Sequence, residues 1–180
     1  MRYNTAMSLN NPFIDNRIAQ AMQSLGGMDQ ALPEQVSQAG ALIAAQLVAG
    51  QKVLAMGLDS TGPLAQLFCE RLLHDKADIR PALPALWVNN ASSCKTLSKA
   101  GDCLVLVALE TNSDDVTRIL ENAQANNVNA IVISGQAAQI NDASHYLHLN
   151  ADNLPRLQEL ALFILNCLGD IIEEQLFGSL

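Results

Sequence analysis

Cys103-Leu104-Val105-Leu106-Val107-Ala108 is apolar at every one of its positions, with Gly101-Asp102 before it and Leu109-Glu110-Thr111-Asn112-Ser113 after it. A short apolar run without alternation, bounded by turn residues, reads as a strand covered on both faces, the situation of a central strand in a parallel sheet. Similar runs lie on either side. Val53-Leu54-Ala55-Met56 is ended by Gly57, Ala85-Leu86-Trp87-Val88 is entered from Pro84, and Ala130-Ile131-Val132-Ile133 is closed by Ser134-Gly135. Tyr146-Leu147-His148-Leu149 alternates, as a strand at a sheet edge does.

Helical spacing fills the intervals. Val36, Ala39, Gly40, Ile43 and Leu47 mark residues 34–49. Leu64, Leu67, Phe68 and Leu72 mark 63–73, and Val116, Ile119, Leu120 and Ala123 mark 114–125. Strands alternating with helices indicate an α/β fold, a parallel sheet with helices on its faces. From Leu160 to Ile172 the last helix, about 154–177, is apolar nearly all the way round, which predicts burial on several sides and an oligomer interface. With no repeat, low-complexity tract or Pro/Gly-rich linker, the chain reads as one domain over 1–180. It comprises an N-terminal helix at about 11–25, a core at about 31–150 and the C-terminal helix.

The chain has 180 residues, 49% of them apolar and 16% charged, with 10 basic against 18 acidic side chains for a net charge of −8. A charged fraction well under the usual quarter excludes a disordered chain. The negative sign argues against general nucleic-acid or anionic-membrane binding. Residues 100–180 carry only Arg118 and Arg156 against 11 acids, so the acidity is concentrated in the second half. So apolar a chain needs dry surface, and a subunit interface is a natural place for it.

Cys69, Cys94, Cys103 and Cys167 form no CxxC pair and have no histidine at metal-ligand spacing, so neither a disulfide scaffold nor a metal site is expected. His145 and His148, three apart on a strand, face opposite sides and cannot share a metal. His74 ends a helix, where it interacts with the C-terminal dipole. The polar N-terminus and the absence of an apolar run of membrane-spanning length predict a soluble, cytoplasmic chain without a cofactor.

Ligands of open parallel sheets bind beyond the strand C-termini. Two loops there enter helices: Gly57-Leu58-Asp59-Ser60-Thr61-Gly62-Pro63 and Leu109-Glu110-Thr111-Asn112-Ser113. Their hydroxyls and helix-end N–H groups suit an anion, although Ser60, Thr61 and Ser113 are equally ordinary helix caps. The Gly-x-x-Ser-Thr turn at Gly57, followed by Ala65-Gln66, Phe68 and Arg80-Pro81-Ala82-Leu83-Pro84-Ala85, resembles the sugar-isomerase (SIS) domain of the phosphoheptose isomerase group. Gly101-Asp102, Asn112-Ser113, Arg156-Leu157-Gln158-Glu159, Asn166-Cys167-Leu168, Asp170 and Leu176-Phe177 recur in the same order. The C-terminal segment resembles the non-enzymatic, DnaA initiator-associating branch of that family. The resemblance runs from about Ala31 to Phe177. It implies a three-layer α-β-α fold with a five-stranded, mainly parallel sheet, additional N- and C-terminal helices, and a tetramer built on those helices.

The departures bear on function. The family's first phosphate loop has a glycine where Asp59 stands. Two hydroxyl donors of the second loop have become Ala108 and Leu109, with Asp114 and Asp115 following. The isomerase base and acid fall on Arg71 and Ala161, neither of which transfers protons at neutral pH. Asn89 to Gly101 is shorter than the family's connection by about a helix. The resemblance therefore implies a binding protein with no catalytic residue and a vestigial phosphosugar site at Gly57, Ser60, Thr61, Asn112, Ser113 and Gln158. Leu176 and Phe177 are the partner-binding pair and DnaA the implied partner. The alternatives are an isomerase with a relocated acid–base pair using Glu70 or Glu110, and a sensor that holds a phosphorylated sugar weakly.

Overall fold

The computed structural model describes residues 11–74, 80–110, 113–135 and 143–178. Helix α1 (Pro12–Gly26) and α2 (Leu32–Val48) precede β1 (Val53–Gly57), a 3₁₀ turn (Asp59–Thr61) and α3 (Gly62–Leu73). Then come β2 (Ala85–Trp87), α4 (Ala91–Leu97), β3 (Cys103–Val107), α5 (Ser113–Ala125), β4 (Asn129–Ser134), β5 (His145–His148) and α6 (Leu154–Phe177).

The sheet order is β2-β1-β3-β4-β5 and every pairing is parallel, so the mainly parallel sheet expected from the sequence is wholly parallel among the described residues. β3 lies at its centre with all five residues buried, and β5 lies at an edge. Alternation along the strands divides the core in two. Val53, Ala55, Cys103, Val105, Val107, Ile131 and Ile133 face α2, α3 and α6. Leu54, Met56, Leu104, Leu106, Ala130 and Val132 face the other way, toward α4 and α5. This is the three-layer α-β-α arrangement.

Two polar knots tie the layers. Asp102, 1% exposed, accepts from the backbone N–H groups of Lys52 (3.1 Å) and Lys99 (2.7 Å) and pairs with the Lys52 ammonium, so one carboxylate fixes the starts of β1 and β3. Arg80, 3% exposed, donates through Nη1 to the Leu72 and His74 carbonyls (3.1 Å each) and through Nη2 to the Arg71 carbonyl (2.7 Å). Its Nε meets Glu173 Oε1 of α6 at 2.9 Å. The guanidinium thus takes up orphan carbonyls at the end of α3 and ties that end to α6. His74 enters through its backbone, its N–H closing the helix on Glu70 O at 2.8 Å.

The short 89–101 connection holds a helix of its own, α4. Asn90 Oδ1 accepts the Ser93 N–H at 2.8 Å as its N-cap, and Cys94 is buried beneath it. The seven-residue helix is too short and too polar to show periodicity, and its cap is the residue that announces it. No helix among the described residues is long and apolar enough to cross a membrane.

Candidate functional site

The turn after β1 is built on a close approach. A Cβ on Gly57 would come within 2.3 Å of the Thr61 carbonyl oxygen, so only glycine lets the chain fold back there. Asp59 has φ +52°, in the left-handed region where glycine is at ease, and is the position at which the isomerase family carries glycine. A left-handed backbone that suits glycine therefore carries a carboxylate here.

The loops after β1 and β3 enclose a cavity of about 240 Å³ lined by Leu58, Asp59, Ser60, Thr61, Leu109, Glu110 and Leu154. Ser60 and Gln158 are brought together: Gln158 Nε2 on α6 donates to Ser60 Oγ at 3.1 Å. Thr61 departs from its expected role. It is 2% exposed, and its hydroxyl lies 2.7 Å from both the Leu58 and Val107 carbonyls, so its proton is used inside the loop. It makes no side-chain helix cap either. Asn112 and the side chain of Ser113 lie outside the described residues. The lining among the described residues thus holds two carboxylates, the Ser60 and Thr61 hydroxyls and three leucines, and the carboxylates disfavour an anion there.

The positions corresponding to the isomerase acid and base are occupied structurally. Ala161 is fully buried in α6. Arg71 reaches across from α3 to α6, donating through Nη1 to the Asn166 carbonyl (2.8 Å) and through Nη2 to Asp170 Oδ1 (2.6 Å). Its guanidinium lies flat on Gly169, where a Cβ would come within 2.5 Å of Cζ. Glu70 accepts from Gln66 Nε2 (2.8 Å) and is not among the residues lining the cavity, whereas Glu110 is. Sequence reasoning missed Arg80 and Glu173 as a pair, because 93 residues separate them.

The pair expected to bind a partner is split. Leu176 is half-buried against the α2/α3/α6 core, while Phe177 is 37% exposed at the end of α6. His145 and His148 share β5 at opposite-facing positions; His148 stacks on Tyr146, and burial pushes the His145 pKa down. Cys69, Cys94 and Cys103 are buried and Cys167 is half-buried. Burial raises the Cys69 pKa to about 11 and that of Cys103 to about 12, the Asp102 charge adding to the latter. A thiol with a raised pKa in the fold stabilises fully below its unfolded pKa, and that contribution is lost as pH rises toward the folded value. Urea unfolding is expected to give constant stability to about pH 9 and a decline from there to pH 12, less steep in Cys103→Ala. Equal slopes in the two chains would count against a buried neutral thiol.

No protein-family model matches the chain. Curated relatives include the DnaA initiator-associating protein DiaA of Edwardsiella ictaluri, 26% identical over 171 residues that cover 82% of this chain and 87% of the relative. The DiaA of Escherichia coli O1:K1 is 25% identical with the same coverage. Among solved structures, a phosphoheptose isomerase from Francisella tularensis superposes with a TM-score of 0.81 at 26% identity, covering 91% of this chain and 97% of the isomerase. The phosphoheptose isomerase GmhA of Neisseria gonorrhoeae gives 0.77 at 18% identity, covering 91% and 98%. The fold is therefore the SIS fold, and the resemblance read from the sequence to both the isomerases and the DnaA-associating branch is borne out.

Proposed function

We propose that this SIS-fold chain is a non-catalytic regulator of replication initiation that works in the cytoplasm by binding DnaA as a homotetramer. The observation that carries the reading is the fate of the isomerase acid–base positions. Ala161 is a buried methyl group, and Arg71 is a structural clamp on Asn166 and Asp170. A reaction that moves a proton between neighbouring carbons has no donor or acceptor at either place. Gly57, Ser60, Thr61, Asn112, Ser113 and Gln158 are the remains of a phosphosugar site, and the Asp59 and Glu110 carboxylates that line the cavity beside Ser60 and Thr61 oppose its former ligand.

Phe177 is the anchor offered to the partner. An exposed aromatic ring at a helix end gives a large contact area at low entropic cost. Phe177→Ala is expected to weaken binding to immobilised DnaA roughly 10–100-fold, the loss typical of an aromatic hot spot. Light scattering should show its assembly unchanged. Dissociation to monomers would mean that the ring seals a subunit interface instead, and unaltered binding would remove Phe177 from the partner surface.

The preserved cavity between the two loops supports one competing reading, an isomerase or binder of phosphorylated sugars. Interconversion of a seven-carbon ketose phosphate and its aldose by the purified chain would establish it.

A further inference from the structure

Residues 100–180 carry two cations, and the fold treats them differently. Arg118 lies on the surface, whereas Arg156 is only 6% exposed. Burying a guanidinium is costly unless its N–H groups are used. Arg156 Nη1 pairs with Glu159, whose own side chain is half exposed, and Nη2 reaches the Arg17 carbonyl of α1 only at 3.4 Å. A guanidinium carries five N–H groups. Among the described residues nothing takes the others.

Arg156 lines a polar cavity of about 240 Å³ between α1 and the turn that leads into α6. α1 presents Gln20, Gln23 and Ser24 to it, while Ile14, Ile18 and Met22 are exposed on the opposite face of the helix. The turn presents Asn150, Asp152 and Asn153. Asn153 is fixed by its own use, its Oδ1 accepting the Arg156 backbone N–H at 3.1 Å as the cap of α6. The Gln20, Gln23 and Asn150 amides and the Asp152 carboxylate have no partner among the described residues. One small space therefore collects a buried cation with unspent donors, an unpaired carboxylate and three unused amides. It is separate from the cavity between the strand loops, which Leu154 lines on the other side of the start of α6.

We propose that this cavity binds a free α-amino acid as its zwitterion, the carboxylate on Arg156 and the ammonium on Asp152, with the amides of Gln20, Gln23 and Asn150 holding a polar side chain. The pattern of charge selects the ligand. A phosphate dianion would be repelled by Asp152 and a simple amine by Arg156, whereas a molecule carrying one charge of each sign satisfies both. A neutral sugar leaves both charges unpaired. The guanidinium fork also matches a carboxylate with two parallel N–H bonds. Size agrees, since the cavity is smaller than the roughly 300–1,000 Å³ of pockets that hold drug-sized ligands. None of the 15 residues of α1 is buried, so a ligand held from both sides ties this helix to the body. The cavity takes no part in the DnaA reading, and the failure of either leaves the other standing.

Titration calorimetry of the intact chain with L-serine, L-asparagine and L-glutamine tests the site, each paired with the same acid lacking its amino group. At least one amino acid is expected to bind, roughly 10-fold or more tightly than its deaminated partner, a difference of about 1.4 kcal/mol. Asp152→Asn, on an exposed turn, should erase that difference, and Gln23→Ala should weaken binding of both. Amide exchange in α1 should slow when the ligand is present. Absence of heat from all three amino acids at about 10 mM, ten times a weak millimolar Kd, overturns the proposal. So does equal binding of an acid with and without its amino group, which would make the cavity a plain carboxylate site. Binding that neither variant alters, or that leaves exchange in α1 unchanged, would place the ligand elsewhere and overturn it as well.

Discussion

Glu173→Ala is expected to lower the midpoint of thermal unfolding by roughly 6–20 °C. The carboxylate is almost wholly buried and faces Arg80, whose side chain has no exposed surface, at 2.9 Å, with Arg71 Nη2 at 3.7 Å. Removing one member of a buried pair leaves the other charge uncompensated, which costs about 3–5 kcal/mol. In a domain of this size each kcal/mol shifts the midpoint by about 2–4 °C. Glu173→Gln keeps the acceptor oxygen and should fall between the two. Asp170→Ala removes a carboxylate whose side chain is 72% exposed, and should cost under about 1 kcal/mol despite its 2.6 Å contact with Arg71. Calorimetric melting of the three variants checks the ordering. Equal losses at positions 170 and 173 would mean that burial is not what gives the Arg80–Glu173 pair its weight.

The second large effect is a gain. Asp59→Gly combined with Glu110→Gln should increase affinity for inorganic phosphate or a sugar phosphate roughly 10–100-fold, since each like charge beside a bound dianion costs about 1 kcal/mol or more. Asp59→Gly also removes a side chain from a left-handed backbone position, where L residues pay about 1–2 kcal/mol. The double variant should therefore melt higher than its parent even without ligand. Titration calorimetry reads the first effect and thermal unfolding the second. If the variant is stabilised yet still ignores phosphate, the donors lost at Ala108 and Leu109 closed the site, and the two carboxylates only accompany that loss.

Most of the architecture was legible because its signals are local. An apolar run of five or six residues has to be a covered strand, and helical spacing between such runs has to place helices on the faces of a parallel sheet. Gly57, Asp59, Arg71 and Ala161 could be weighed from sequence because each chemistry needs a particular residue type at its place. α4 was not legible: a short polar helix held by one asparagine cap and one buried cysteine carries too little periodicity. The use of Thr61 was not legible either. A hydroxyl after a strand suits an anion as well as it suits the Leu58 and Val107 carbonyls, and only the position of the neighbouring strand decides between them.

The sequence by itself determined the layered parallel fold, the acidic second half and the residue types, Arg71 and Ala161 among them, on which the functional reading turns. The tertiary structure decided where the polar groups find their partners. It joined Arg80 to Glu173 across 93 residues, closed Gln158 on Ser60, and separated Leu176 in the core from Phe177 at the surface. It also turned the apolar face of α1 outward, which its spacing alone could not do. Periodicity says that a helix has two faces, and only the packing of the rest of the chain says which of them is left for another molecule.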